Sequence, residues 1–160
     1  MEETYTPSFH EICSKVNNAK DKAKKIGVLR KYRTECLEMF LNSGLNPNIV
    51  WMLPHGDVPY KPNEAPEGTE HTILAQEARN LYNYVKMDRS RLNLPEVIGN
   101  NHINMAQREM MFIQMLEGLH TKEAQLVILA KDKLLSKNFK GLTATCVCEA
   151  FEWSDTFEPR

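Results

Sequence analysis

The residues that could carry acid–base or metal chemistry are few and scattered. Five histidines (His10, His55, His71, His102, His120) stand far apart, each near a helix end or in a loop. An imidazole at such a place acts as a cap or surface group rather than a general base. The cysteines are Cys13, Cys36, Cys146 and Cys148. Cys146-x-Cys148 and His10-x-x-Cys13 have the ligand types of a structural zinc site without its pair spacing, so core thiols are the better reading. Their uneven placement also fits no disulfide framework, and inside a cell they stay reduced. Glu67 and Glu70 flank an expected helix start, where the helix dipole alone accounts for carboxylates. No phosphate-cradling G-x-x-x-x-G-K-[ST] or G-x-G-x-x-G loop, no H-E-x-x-H and no G-x-S-x-G occurs. Carboxylate pairs for two-metal catalysis assemble only in space and are left open. The expectation is a non-enzyme, with no cofactor and no metal.

Charge is the stronger signal. The 160 residues carry 20 Lys+Arg against 21 Asp+Glu, a net charge of −1. That near-neutral total hides segregation. Lys15, Lys20, Lys22, Lys24, Lys25, Arg30, Lys31 and Arg33 face only Asp21 over residues 15–33, a local charge of +7. Residues 120–140 carry Lys122, Lys131, Lys133, Lys137 and Lys140 against Glu123 and Asp132, a local +3. Residues 55–77 sum to −4 and the last twelve to −3. On a helix Lys20, Lys24 and Lys31 share one face, with Lys22 and Lys25 beside it. Such a stripe can neutralise nucleic-acid phosphates through counterion release. Its lysine-heavy make-up suits non-specific backbone contact better than bidentate reading of bases. A solvated helix face paired with the acidic segment is the competing account.

The elements that would position these groups read as helices. Phe9, Ile12, Cys13 and Val16 follow helical spacing, with Ser8 and Glu11 as a capping box. Further helices are expected over about 20–32, from Thr34 to a Gly44 C-cap, and over 70–86. A nearly all-apolar helix is expected at 105–117, in the centre of the bundle. One capped by Thr121 follows, and a short one begins at Thr143. No alternating strand pattern longer than three or four residues appears, and the longest apolar runs are five residues, Ile49–Leu53 and Leu126–Ala130. A membrane-spanning helix needs about 20. The acidic opening MEETYTPSFHE lacks the apolar core of a secretory leader. The fold class expected is therefore all-α: one compact domain, 1–160, of about six helices, with an acidic, frayed tail at 153–160. The expected compartment is the cytoplasm.

Residues 46–69 interrupt the helices. Five of the eight prolines (Pro47, Pro54, Pro59, Pro62, Pro66) fall there with Gly56 and Gly68. Proline at that density excludes helix and central strand. A loop this long tends to be functional or wrapped on the surface, and Trp51 and Tyr60 are expected to pin it.

The block Trp51-Met52-Leu53-Pro54 through Pro59-Tyr60-Lys61-Pro62-Asn63, Ala65-Pro66-Glu67-Gly68 and Glu70-His71-Thr72 resembles a family of small uncharacterised proteins of large tailed phages. The run Arg108 to Leu119 (REMMFIQMLEGL) resembles it too. The resemblance spans most of the chain and brings no activity, but it implies an infected host cell as the setting. The order of parts is also similar to the N-terminal all-helical DNA-binding domain of ATP-dependent DNA ligases. Arg108, Glu117-Gly118 and the Lys131, Lys133, Lys137 series stand in the matching places. No Lys-x-Asp-Gly adenylation motif occurs, so what this resemblance implies is at most gripping of a duplex backbone.

The functional expectation is a non-catalytic accessory protein of phage DNA metabolism that binds duplex DNA non-specifically. Its contacts would be Lys20, Lys22, Lys24, Lys25, Arg30, Lys31 and Arg33, joined in one concavity by Lys131, Lys133, Lys137 and Lys140. The alternative is a protein-interaction module or inhibitor that binds a host or phage replication protein through Pro59, Tyr60, Pro62 and Pro66, whose rigid extended backbone suits docking. A small-molecule pocket lined by the Met105, Met110, Met111 and Met115 region is weaker, because methionines there fit as core filler. No membrane partner is expected.

Overall fold

The computed structural model describes residues 7–62, 72–154 and Phe157. Among them are eight α-helices: α1 (Phe9–Asn18), α2 (Lys22–Lys31), α3 (Glu35–Leu45), α4 (Leu74–Glu77), α5 (Met105–Gly118), α6 (Thr121–Lys131), α7 (Leu135–Asn138) and α8 (Ala144–Ala150). Three short strands accompany them: β1 (Ile49–Trp51), β2 (Val85–Met87) and β3 (Val97–Ile98). Two 3-10 segments cover Ala78–Tyr84 and Ser90–Leu92. The fold is mainly helical rather than purely so. No described helix is long and apolar enough to cross a membrane.

The helix starts follow the local chemistry. Ser8, Asp21, Thr34, Asn104 and Thr143 each turn a side-chain oxygen onto a backbone N–H one turn on, satisfying a donor the helix leaves orphaned. At α5 the cap is reciprocal, with the Gln107 side chain returning to the Asn104 N–H at 3.0 Å. His120, not Thr121, caps α6, accepting from the Lys122 N–H through Nδ1. Gly44 is not a C-cap. It lies buried inside α3, where a Cβ would run into Leu135 Cδ1 and come within 3.1 Å of Ala130 Cβ, so it sets how closely α3 meets α6 and α7.

The largest departure from helical spacing is at residues 73–87. A single turn of α4 passes into a 3-10 segment and then into β2. Ile73 at its start offers no side-chain cap. Tertiary pairing then decides the outcome, since β2 lies between two antiparallel partners. Ile49, Val50 and Trp51 stand opposite Met87, Lys86 and Val85, while Ile98 and Val97 stand opposite Lys86 and Met87. Pro47 bars any continuation of α3, and the β-branched and aromatic residues after it favour a strand. Trp51 is buried and donates Nε1–H to the Ser43 carbonyl at 2.9 Å, which fixes the start of the proline-rich segment. Pro66 and His71 lie outside the described residues, as do Glu67, Glu70 and most of the acidic tail.

One continuous core joins these parts, with Phe40, Phe112, Phe151 and Leu116 among its enclosed side chains. Trp51 and Tyr84 meet the Phe112 ring edge-on, with centroids 6.2 and 5.2 Å away. Glu123 is the one carboxylate that organises this interior: Oε2 accepts from the Phe9 N–H at 3.2 Å and Oε1 from the Leu74 N–H at 3.1 Å. A single buried side chain on α6 thus serves the first residues of α1 and α4, where the helix dipoles also favour negative charge.

The expected central position of α5 is not realised. Arg108, Phe112, Met115 and Leu116 face inward, but Met105 and Met110 are 63% and 62% exposed. Buried Arg108 is spent on structure, donating to the carbonyls of Asn83, Asn100 and Ile103.

Candidate functional site

The basic residues divide sharply by their partners. Lys22 reaches Glu149 at 2.8 Å on α8. Lys25 turns its ammonium back onto the carbonyls of Val16 and Ala19 at the end of α1. Arg30 donates to the carbonyls of Ala150 and Glu149, at the C-terminal end of α8 where cations are favoured. Arg33 pairs with Glu38, donates to the Phe151 carbonyl and lies over the Phe151 ring. Four of the seven expected contacts of the first cluster therefore bind α2 and its C-terminal flank to the rest of the fold. Lys20, Lys24 and Lys31 stay exposed, with Lys31 over the ring of Tyr32.

Two lysines of the second cluster are spent on internal contacts. Lys131 is 5% exposed, and its ammonium donates to the carbonyls of Pro54 and Gly56, at 2.8 and 3.1 Å, and to Asp132 at 2.6 Å. All three donors of that ammonium are used within the protein, so this residue is enclosed beneath the proline-rich strap. The Lys133 ammonium bridges the carbonyls of Ser43 and Asn46 at the end of α3, and desolvation lowers its pKa to about 8. Lys137 and Lys140 are exposed. Lys140 sits near the α1–α2 corner, because the next residue, Gly141, donates its N–H to Asn17 and abuts Lys25. No single cationic concavity gathers the eleven residues.

The strap itself builds a different feature. Asp132 ends α6 with a carboxylate that accepts the Gly56 N–H on both oxygens, at 3.1 and 3.3 Å, and lies 3.8 Å from His55 Nε2. Further on, the Lys61 N–H donates to Glu117 on α5 at 2.8 Å. Held at both points, residues 53–59 roof a cleft of about 250 Å³ against α5. Leu53, Pro54, Val58 and Pro59 form one wall, and Phe112 and Ile113 form the other. Asp57 and Glu109 add carboxylates to the lining, and Lys131 closes it near Pro54. Met105, Glu109 and Ile113 recur every fourth residue of α5, and Met110 is three residues from Ile113. Met105 and Met110 are exposed on the same helix but stand outside the cleft lining.

Tyr60 is half-buried beside this strap, and burial pushes its phenol up. Pro59 and Pro62 are exposed. Of the residues expected in the interaction surface, the structure thus keeps three together. Spacing alone gives no sign that Glu109 and Ile113 join the strap in lining the cleft. The excess of apolar residues around α5, which suggests a central helix, in fact leaves Met105 and Met110 on the surface.

Elsewhere, all four cysteines are buried thiols and none is in a disulfide. Burial and the nearby Glu123 carboxylate push the Cys13 thiol up to about 12. Among the described residues, no group of three or more His, Cys, Asp or Glu comes together in a way that could hold a metal.

Fold and site define a small, mainly helical module whose one strapped apolar cleft has acidic residues in its lining. The chain belongs to the family of unknown function DUF6433, whose model matches residues 12–137. No curated protein and no solved structure matches it.

Proposed function

We propose that the protein is a non-catalytic interaction module that docks a segment of a partner protein in the cleft between the strap and α5. The observation that carries this reading is the strapped cleft itself, walled by Leu53, Val58, Phe112 and Ile113, on a helix that also exposes the large apolar side chains of Met105 and Met110. Contiguous exposed apolar surface of this kind marks association sites, and methionine adapts its shape to a partner. Asp57 and Glu109 have no described ion-pair partner, whereas the Lys131 charge is balanced by Asp132. Charge complementarity therefore favours a partner segment with an apolar anchor flanked by Lys or Arg. A replication protein of the host or of a phage is one such partner class.

The test is photo-crosslinking from a benzophenone placed at position 110, compared with position 24 on α2. A specific adduct from 110 that disappears in I113D supports the reading. Equal crosslinking from both positions, or an adduct indifferent to I113D, refutes it.

A reduced form of the duplex-DNA reading is favoured by Lys20, Lys24 and Lys140, which remain exposed around the α1–α2 corner, and by Lys31, exposed at the far end of α2. Four phosphate contacts would give a log–log salt slope of about −3.6. No duplex binding at low salt, or binding unchanged in the fourfold Lys→Glu variant, removes it.

A further inference from the structure

A second pocket, of about 180 Å³, lies across the molecule's other loop cluster, between the end of α3 and the segment after β2. Its lining is divided by chemistry. Arg89, Arg91, Asn42 and Asn48 supply donors, while Met87, Leu92 and Phe157 supply apolar surface.

The hydrogen bonds around it decide which groups are free to act. Asn46 also lines the pocket but is spent, since its Nδ2 donates to Asn42 Oδ1 and its Oδ1 accepts from the Asn48 N–H. With Asn42 Oδ1 held in this way, the Asn42 amide N–H groups remain as donors. Asp88 is the one carboxylate in the lining, and its Oδ1 accepts the Ser90 N–H at 2.9 Å. That hydrogen bond, with Lys86 nearby, holds the Asp88 carboxyl below its usual range. The loop carrying the two arginines is a closed turn. The Asp88 N–H donates to Asn48 at 2.7 Å, and the N–H groups of Asn93 and Leu94 return to Ser90 and Arg89, with Asn93 in the left-handed region at φ 56°. Neither guanidinium has an ion-pair partner among the described residues. Two arginines without ion-pair partners among the described residues stand beside the Asn42 amide, the Phe157 ring and the single Asp88 carboxylate, a lining of net positive charge that suits an anion attached to an apolar group.

We propose that this pocket binds a phosphate monoester of a small aromatic or apolar group. A phosphate monoester carries about −1.5 to −2 charge and three acceptor oxygens. Two guanidinium forks and the Asn42 amide match those oxygens in number, and arginine meets phosphate in bidentate geometry. Phe157, Met87 and Leu92 then cover the ester group. The proposal is independent of the strapped cleft, which shares no lining residue with this pocket.

The experiment is a titration of the full chain with phenyl phosphate, followed by the NMR signals of the Arg Nε–H groups and Asn side-chain amides. Inorganic phosphate and phenol are the comparison probes. Saturable shifts at Arg89, Arg91 and Asn42 are expected with phenyl phosphate, and none with phenol. R91Q, at an exposed position that leaves the fold intact, weakens binding roughly tenfold or more, as loss of a charge-assisted hydrogen bond requires. F157A removes the preference for phenyl phosphate over inorganic phosphate. Failure to saturate at about 10 mM, equal response to phenol, or unchanged affinity in both R91Q and R89Q overturns the proposal.

Discussion

Replacing Lys131 with methionine tests the strap directly. Methionine keeps the aliphatic length of the stem, so packing changes little and the ammonium is what is lost. Three acceptors lose their donor: the carbonyls of Pro54 and Gly56 and Oδ1 of Asp132, whose side chain is 6% exposed. Removing one partner of a buried ion pair costs about 3–5 kcal/mol. Asp132 retains the Gly56 N–H, so the lower end, about 3 kcal/mol, is expected. At roughly 2–4 °C per kcal/mol for a chain of this size, the midpoint falls by about 6–12 °C. Urea unfolding followed by Trp51 and Trp153 fluorescence measures the global loss. Hydrogen exchange at the Gly56 amide measures the local one, and it accelerates more than exchange in α3. In K131M/D132N the deficit shrinks, because the stranded carboxylate is gone, giving a coupling of at least about 1.5 kcal/mol. A K131M loss under about 1 kcal/mol, or a Gly56 amide unchanged in exchange, would refute the view that this ammonium holds the strap.

Four further outcomes are expected. E123A leaves the Phe9 and Leu74 N–H groups without an acceptor and lowers stability by about 2–5 kcal/mol in chemical denaturation, whereas E123Q, which keeps an acceptor oxygen, loses less. G44A gains about 1 kcal/mol of helix propensity but collides with buried Leu135, so calorimetry shows a net destabilisation of about 1 kcal/mol. The Cys13 thiol, buried and raised to about 12, reacts with a maleimide only at the rate of global unfolding, as mass spectrometry of quenched samples would show. Lys133, lowered to about 8 in the folded state against about 10.4 unfolded, makes the unfolded state bind more protons between those values; stability therefore rises with pH over that window, and K133M flattens the rise.

Much of the fold is legible in the sequence because caps are local. Ser8, Thr34 and Thr143 begin their helices where their types say they do, since an N-cap needs only an oxygen and a backbone N–H one turn away. The sheet is not legible for the opposite reason. Val85 and Trp51 are strand partners across 34 residues of sequence, and each run is only three residues long, too short for period-two alternation to register. Charge was legible in amount but not in direction. Lys131 and Lys137 look alike in the sequence, yet one lies 5% exposed against two carbonyls and a carboxylate while the other faces solvent. Which lysine turns inward depends on where Pro54 and Gly56 travel, and that is fixed only by the folded chain. The cleft is invisible for the same reason, because its two walls come from residues 53–59 and from α5.

The carboxylate of Glu123 bonds to a residue 114 positions earlier in the chain. During synthesis at about 5–20 residues per second, on the order of ten seconds separates the emergence of the two partners. Throughout that interval the first amide of the leading helix lacks this acceptor, although α2 and Phe40 of α3 already offer that helix packing. The protein is in this sense built to close late, its beginning waiting on its last third.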